Sequence, residues 1–182
     1  MKKLLSLAVF ILSALCAQAQ VNVDEPEFIG QVKILTSDST SVLLPKEKST
    51  MKTKSTHFGM IPLPGTSLLD KSTTNMVLQG KESSVTVPAG TIRFIMRVEK
   101  TDVDPSTYLR IVKFNQKKKT RESTIAQMGL IQGFKMDMSS SDSFEVQKYG
   151  DNSLLFTLKD VPAGQYGISF TALMDASTFG VE

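Results

Sequence analysis

The alternation of apolar and polar residues between Thr91 and Val98 is the feature that most constrains how this chain can fold. The apolar members that share one face are Ile92, Phe94, Met96 and Val98. Arg93 and Arg97 stand on the other face. Because successive side chains of a strand point to opposite sides of a sheet, this pattern places one face in a core. The stretch therefore predicts a β-strand that is covered on one side.

Further segments rich in β-branched and aromatic residues, divided by turn signals, predict an all-β protein. They span residues 28–35, 41–44, 84–88, 107–114, 144–149, 154–158, 164–170 and 177–181. The first two flank a turn-rich stretch and predict a hairpin. Short strands at this spacing are typical of a sandwich or barrel. We expect a single antiparallel β-sandwich over 28–182, immunoglobulin-like or Greek-key, preceded by a flexible N-terminal arm at 20–27. Helical signals are scarce, and only 120–128 could form a turn or two.

A second local signature concerns the turn before Tyr166. The segment 158–168 reads as a strand, a Pro-Ala-Gly turn and a tyrosine that opens the next strand. This order resembles the tyrosine corner of Greek-key sandwiches, in which the tyrosine hydroxyl bonds to backbone a few residues upstream. The alternative is an aromatic residue on an ordinary hairpin. Both interpretations place the segment in a sandwich.

The N-terminus predicts export. Lys2 and Lys3 precede an apolar run, and Ala17-Gln18-Ala19 follows it as a small-x-small cleavage site. The run is about 14 residues long, whereas a membrane-spanning helix needs about 20. We therefore interpret residues 1–19 as a cleaved signal peptide, helical before its removal, and expect no transmembrane span afterwards. An uncleaved anchor and a lipoprotein modified at Cys16 are the alternatives; the bulky Leu15 before that cysteine disfavours lipidation.

Cleavage changes the composition that matters for function. The chain has 21 Lys plus Arg and 18 Asp plus Glu, so loss of Lys2 and Lys3 leaves a net charge of +1. Such a chain has no global electrostatic footprint for nucleic acid. Cleavage also removes Cys16, the one cysteine, and with it any disulfide. An exported domain without disulfides fits a bacterial periplasm or surface better than a eukaryotic secretory route.

Catalytic signals are weak. A Ser-His-Asp triad would need His57, the one histidine, with an aspartate such as Asp70, and no Gly-x-Ser-x-Gly elbow is present. One histidine without cysteines does not make a zinc site. Asp102 and Asp104 could contribute to a calcium site, but a solvated loop is favoured because the EF-hand pattern is missing. Nucleotide-binding motifs are absent from the sequence. We therefore predict a protein that is not an enzyme and that uses no cofactor or metal.

The one concentration of charge is a basic group near the middle of the chain. Its members are Lys113, Lys117, Lys118, Lys119 and Arg121. These side chains could bind lipopolysaccharide, an acidic glycan or another anionic partner. The alternative is a solvated loop or edge strand, where lysines prevent unwanted strand pairing.

Several segments together resemble a known group of proteins. They are the Ala17–Gln20 signal end, Glu25–Gly30, Phe114–Arg121, Pro162–Gly167 and Thr178–Val181. The chain is similar in these segments to small secreted or periplasmic β-rich proteins of Bacteroidetes that have no assigned function. The resemblance implies a compartment and a fold, and it carries no active site.

These observations favour an exported, non-catalytic binding or assembly module of a bacterial cell envelope. Its partner would be an envelope protein or a glycan. The alternatives are a glycan-associated surface accessory protein and a carboxylate-dependent hydrolase, since pairs of acids could serve glycoside cleavage. A concave face lined with rings would favour a glycan, and a flat apolar patch or an open edge strand would favour a protein partner.

Overall fold

The alternating segments form β-strands, and backbone hydrogen bonds between strands that are distant in the sequence join them into two sheets. A computed structural model describes residues 21–56, 71–129, 133–136, 144–170 and 174–182. The described strands are β1 (Val32–Leu35), β2 (Ser41–Leu43), β3 (Lys46–Lys48), β4 (Thr50–Thr56), β5 (Lys71–Gln79), β6 (Thr86–Val87), β7 (Gly90–Arg97), β8 (Leu109–Gln116), β9 (Thr120–Gly129), β10 (Gly133–Met136), β11 (Phe144–Tyr149), β12 (Ser153–Val161), β13 (Gly164–Phe170) and β14 (Asp175–Val181). A 3-10 turn at Pro105–Thr107 precedes β8.

The first sheet has five strands in the order β11-β12-β7-β1-β2, and its pairings are antiparallel. The alternating stretch forms β7 at the centre, where Phe94 lies opposite Ile34 on one side and Phe156 on the other. Strands β1 and β2 form the predicted hairpin, with Lys33 opposite Leu43.

The second sheet follows the order β3-β14-β13-β8-β9-β5-β4. Strand β10 adds to β9, and the two-residue β6 runs parallel to β14. Its other pairings are antiparallel. The prediction of an all-β protein with antiparallel sheets is therefore confirmed, and the arrangement is consistent with a β-sandwich.

The main core lies between the two sheets. Phe94 and Phe156 stack at 4.7 Å between ring centroids in the first sheet, and Tyr166 and Phe179 stack at 5.5 Å in the second. All four side chains are buried. Their burial supplies the main driving force for joining the sheets, since apolar area removed from water is the dominant favourable contribution to folding.

A second, smaller core shows that the larger sheet curls. It contains Met76, Leu78, Phe114 and Ala176. Three strands separate β3 from β9, a span of about 19 Å in a flat sheet. Nevertheless Arg121 on β9 bonds Glu47 on β3 at 2.5 Å. The sheet therefore rolls toward itself around this cluster, which a simple two-layer sandwich would not do.

One local expectation was wrong. Residues 120–128 form most of strand β9 and not a helical turn, because β5 pairs with that segment along its length. Within the arm predicted at 20–27, the amide of Asn22 donates to the Asp38 carbonyl at 2.7 Å, and Pro26 is buried. The proposed signal peptide, His57 and Asp70 lie outside the described residues.

Candidate functional site

Tyr166 makes the hydrogen bond expected of a tyrosine corner. Its hydroxyl donates to the carbonyl oxygen of Pro162 at 2.8 Å, four residues upstream. The bond closes the connection by which the chain leaves β12 in the first sheet and enters β13 in the second. The side chain is 1% exposed, so the ring also fills the main core. Tyr166 is therefore a structural residue that fixes the crossover.

The lysines of the predicted basic group lie on and beside the turn between β8 and β9. Lys117, Lys118 and Lys119 are exposed there, and the turn is closed by the Lys117 amide, which donates to the Thr120 carbonyl at 2.8 Å. Lys113 is exposed on β8, and its Nζ lies 5.5 Å from the centroid of the Tyr166 ring. A cation at this distance from an aromatic face is attracted by the ring quadrupole. These lysines remain available to an anionic partner.

Arg121 does not belong to that exposed group. Its side chain is 1% exposed, and its Nη2 donates to Glu47 Oε2 at 2.5 Å and to the Gln79 carbonyl at 3.1 Å. Its Nε donates to the Gly80 carbonyl at 3.3 Å. A buried guanidinium that is held by a carboxylate and two carbonyls ties strands together and does not present a charge to solvent. The expectation that Arg121 contributes to a binding surface is therefore corrected.

A cleft of about 1030 Å³ lies on the outer side of the five-stranded sheet. It lies between the N-terminal segment and the edge strand β11. Its lining residues come from strands β7, β11 and β12, from the N-terminal segment and from two turns. They are Val21, Asp38, Arg93, Glu145, Val146, Gln147, Lys148, Tyr149, Gly150, Leu155 and Thr157. We call this feature the outer cleft.

Both carboxylates that line the outer cleft form ion pairs. Arg93 Nη2 donates to Asp38 Oδ1 at 2.5 Å, and Lys159 Nζ donates to Glu145 Oε1 at 2.5 Å. The hydrogen bond and the charge of Glu145 raise the pKa of Lys159 above its ordinary value. Each of the two carboxylates of the cleft therefore already holds a cation. This arrangement offers hydrogen-bond donors and acceptors without a strong net charge.

The N-terminal segment forms one wall of the outer cleft and is anchored at Tyr149 and Glu25. The Tyr149 hydroxyl donates to the Val23 carbonyl at 2.5 Å and accepts from the Val23 amide at 3.0 Å. The Glu25 carboxylate accepts from the amides of Asp151 and Asn152 at 2.9 and 3.1 Å and from the Ser153 hydroxyl at 2.5 Å. The wall is thus fixed to the turn between β11 and β12.

These contacts also set the ionisation of Glu25. Partial burial raises the pKa of this carboxyl, but the hydrogen bonds from Ser153, Asp151 and Asn152 and the positive charge of Arg97 outweigh that effect. The resulting pKa is below the ordinary value for glutamate. The carboxylate form is the one that accepts these bonds.

An apolar surface lies at one end of the sandwich. Ile29 is 64% exposed and separates two small cavities, one of about 360 Å³ beside Leu43 and one of about 300 Å³ beside Val103. The floor of the second cavity includes Tyr108 and Phe170, whose rings stack at 6.2 Å. Burial, and secondarily the charge of the nearby Asp104, raises the pKa of Tyr108. We call this surface the apolar end.

The loop considered for calcium has a structural role at Asp104. Its Oδ1 accepts from the Ser106 amide at 2.9 Å and caps the 3-10 turn that follows. These hydrogen bonds lower the pKa of Asp104. Within the described ranges, no three His, Cys, Asp or Glu residues are grouped so that they could hold a metal ion. The same ranges contain no helix with the length and apolar character needed to cross a bilayer.

Comparison of the chain with protein-family models, curated proteins and solved structures finds no match. The site must therefore be interpreted from its own geometry. Sequence patterns did not reveal the outer cleft, because its walls come from segments more than a hundred residues apart, such as Val23 and Tyr149. The sequence contained one signal of the cleft: the segment from Glu145 to Tyr149 is largely polar, although it forms a strand, and most of its side chains are exposed.

Proposed function

We propose that the mature chain is an exported, non-catalytic binding module of a bacterial cell envelope, and that it holds its ligand in the outer cleft. The observation that carries this proposal is the cleft itself, about 1030 Å³ in volume and lined by hydrogen-bonding side chains, with both of its carboxylates in ion pairs. Binding sites are commonly concave and contain a few polar groups that orient the ligand. Export rests on the sequence pattern of residues 1–19 and on the resemblance to secreted Bacteroidetes proteins.

The ligand class that suits this lining is a hydroxyl-rich molecule with little net charge, such as a segment of a neutral glycan. Gln147 and Thr157 offer an amide and a hydroxyl, and the Arg93–Asp38 pair offers both donors and acceptors. The partly exposed Val21 adds an apolar surface on which the non-polar face of a sugar ring can rest. The chain would then act as a glycan-associated accessory protein.

The same geometry argues against the hydrolase alternative. Glycoside cleavage requires one carboxyl that can donate a proton and a second that attacks or activates water. Asp38 and Glu145 are the carboxylates that line the outer cleft, and each forms an ion pair with a basic side chain. Carboxylates already bonded to cations in this way are not free to serve as that pair.

The finer fold that we propose is a Greek-key sandwich. The Tyr166–Pro162 hydrogen bond supports it, because a tyrosine corner of this kind pins a crossover between two sheets. The curl around Arg121 is then an elaboration at one edge of the larger sheet.

The experiment is a neutral-glycan array probed with residues 20–182. A Gln147→Ala, Thr157→Val variant removes two polar groups of the cleft, and we expect it to bind about tenfold more weakly. A matched Gln79→Ala, Thr53→Val variant makes the same chemical changes outside the cleft and should bind as the unmodified protein does. Absence of binding to every neutral glycan, or equal losses in both variants, would contradict the proposal. Release of shortened sugars would favour the hydrolase.

A protein partner is the second candidate function, and the apolar end favours it. Exposed apolar surface that surrounds shallow cavities often marks a protein interface. Ile29→Asp should abolish chemical cross-linking to an envelope protein, whereas Met51→Asp, at a residue 45% exposed on β4, should not. Retention of the cross-link in Ile29→Asp would exclude the apolar end as the interface.

A further inference from the structure

Three lysines that are distant in the sequence share one face of the sheet formed by β4, β5 and β9. Lys52 lies opposite Asn75, Lys54 opposite Thr73, and Lys71 opposite Thr56. Residues directly opposite each other in an antiparallel pair share a face, as do residues two apart in one strand. Lys52, Lys54 and Lys71 therefore project from the same side, and all three are exposed. We call this side the lysine face.

Uncharged hydrogen-bonding side chains fill the space around these lysines. Thr73 and Asn75 lie on β5, and their β9 partners are Gln127 and Thr124. The Thr124 hydroxyl donates to Asn75 Oδ1 at 2.9 Å. Glu122, which pairs with Val77, is the one acid that this three-strand register places on the face.

Lys52, Lys54 and Lys71 form no ion pair with another residue in the part of the chain that the structure describes. The ion pairs found there join Lys46 to Asp175, Lys81 to Glu82, Arg93 to Asp38, Arg121 to Glu47 and Lys159 to Glu145. Lys52 and Lys54 are two residues apart on one strand, which separates their Cα atoms by about 7 Å. The face thus presents closely spaced positive charges on a rigid pleated surface.

Protection of a sheet edge does not account for this set. Lysines on an edge strand discourage pairing with another chain, and β4 is such an edge. Lys71, however, lies on β5, which is paired with β4 on one side and with β9 on the other. A lysine on an interior strand has no edge to protect.

We propose that the lysine face binds a linear acidic polysaccharide. Lysine ammonium groups attract carboxylates along such a polymer, while the Thr, Asn and Gln side chains can bond its hydroxyl groups. A bilayer surface fits less well, because the exposed Met51 of β4 belongs to the opposite face, with Met76. Single-stranded nucleic acid fits less well too, because the described face offers no aromatic ring for base stacking. This site is independent of the outer cleft.

The test is affinity electrophoresis of residues 20–182 through gels that contain polygalacturonate, with polymer-free gels as the reference. We expect polygalacturonate to retard the protein and added salt to weaken the effect, since exposed charges are screened. Lys52→Gln, Lys54→Gln, Lys71→Gln should weaken binding by about tenfold. The matched control, Lys81→Gln, Lys100→Gln, Lys159→Gln, removes the same charge from exposed positions outside the lysine face and should change binding less than about twofold.

Each contrary result is distinguishable. Equal losses of affinity in the two triple variants would show that binding depends on the net charge of the protein and not on the lysine face. Binding to phosphatidylglycerol vesicles without retardation by polygalacturonate would replace the polysaccharide with a membrane surface. No retardation of the unmodified protein would overturn the proposal outright. Circular dichroism and thermal unfolding of both variants establish that each is folded, so a loss cannot be attributed to misfolding.

Discussion

Arg121 Nη2 donates to Glu47 Oε2 at 2.5 Å and thereby joins β9 to β3 across the inner side of the curled sheet. Glu47 Oε1 accepts in addition from the Thr178 hydroxyl at 2.5 Å. The Arg121 side chain is 1% exposed and that of Glu47 is 25% exposed. The Glu47 carboxylate on β3 therefore connects its own strand to the neighbouring β14 and, across the curl of the sheet, to β9.

Removal of either partner should destabilise the protein. Arg121→Ala should lower the free energy of unfolding by about 3 kcal/mol, because it leaves a carboxylate without its cation and a void beside the small core. In a double-mutant cycle with Glu47→Ala, the combined loss should be about 1 kcal/mol or more below the sum of the single losses. Urea unfolding measures all four states. Additive losses would show that the two residues act separately. Lys119→Ala, an exposed neighbour, is the control and should change stability by less than about 0.5 kcal/mol.

Tyr166→Phe isolates the hydroxyl of the crossover. The ring remains stacked on Phe179, but the Pro162 carbonyl loses its donor, so we expect a loss of about 1 to 2 kcal/mol. Tyr166→Leu, which also removes the ring, should cost more. The measurement is chemical denaturation at neutral pH. A Tyr166→Phe variant as stable as the unmodified protein would show that the hydrogen bond does not hold the crossover.

Glu25 should make stability depend on acid. Its pKa is lower in the folded protein than in the unfolded chain, so the folded state binds its proton less readily. The stabilisation is therefore complete above the ordinary pKa of 4.5 and is lost as pH falls through the lowered value. Glu25→Gln should remove this contribution and flatten the corresponding part of the curve of Tm against pH. The control Glu99→Gln leaves Glu25 intact, so its Tm should still fall at acidic pH as that of the unmodified protein does. A steep curve in Glu25→Gln would contradict the assignment.

The sequence was informative where the determining contacts are local or periodic. Alternation identified β7, and the Pro-Ala-Gly turn placed the hydrogen bond of Tyr166. The sequence did not predict the burial of Arg121, because its partner Glu47 is 74 residues away. The thin apolar face of 120–128 resembled a weak helix because the small core covers only part of β9.

Tertiary pairing also explains the sites that the sequence did not reveal. Lys52, Lys54 and Lys71 form a group only through the register of β4 with β5. The triple lysine at 117–119 was conspicuous in the sequence because its members are adjacent. The N-terminal segment looked loose because it is polar, yet Tyr149 supplies the partner for its backbone at Val23. Contacts of this range have no local signature.

Gly167 tests the packing between the crossover strand and the small core. A Cβ at this position would lie 2.8 Å from Phe114 Cε2 and 3.1 Å from the Ala176 Cβ, closer than carbon atoms pack. Gly167→Ala should therefore cost about 1 to 3 kcal/mol through overpacking. Phe114→Leu alone should also destabilise, because it leaves a void. In the double variant the smaller leucine leaves room for the added methyl group, so the combined loss should be smaller than the sum. Thermal unfolding of the four proteins measures this, and strictly additive losses would show that Gly167 is required for some reason other than the proximity of Phe114.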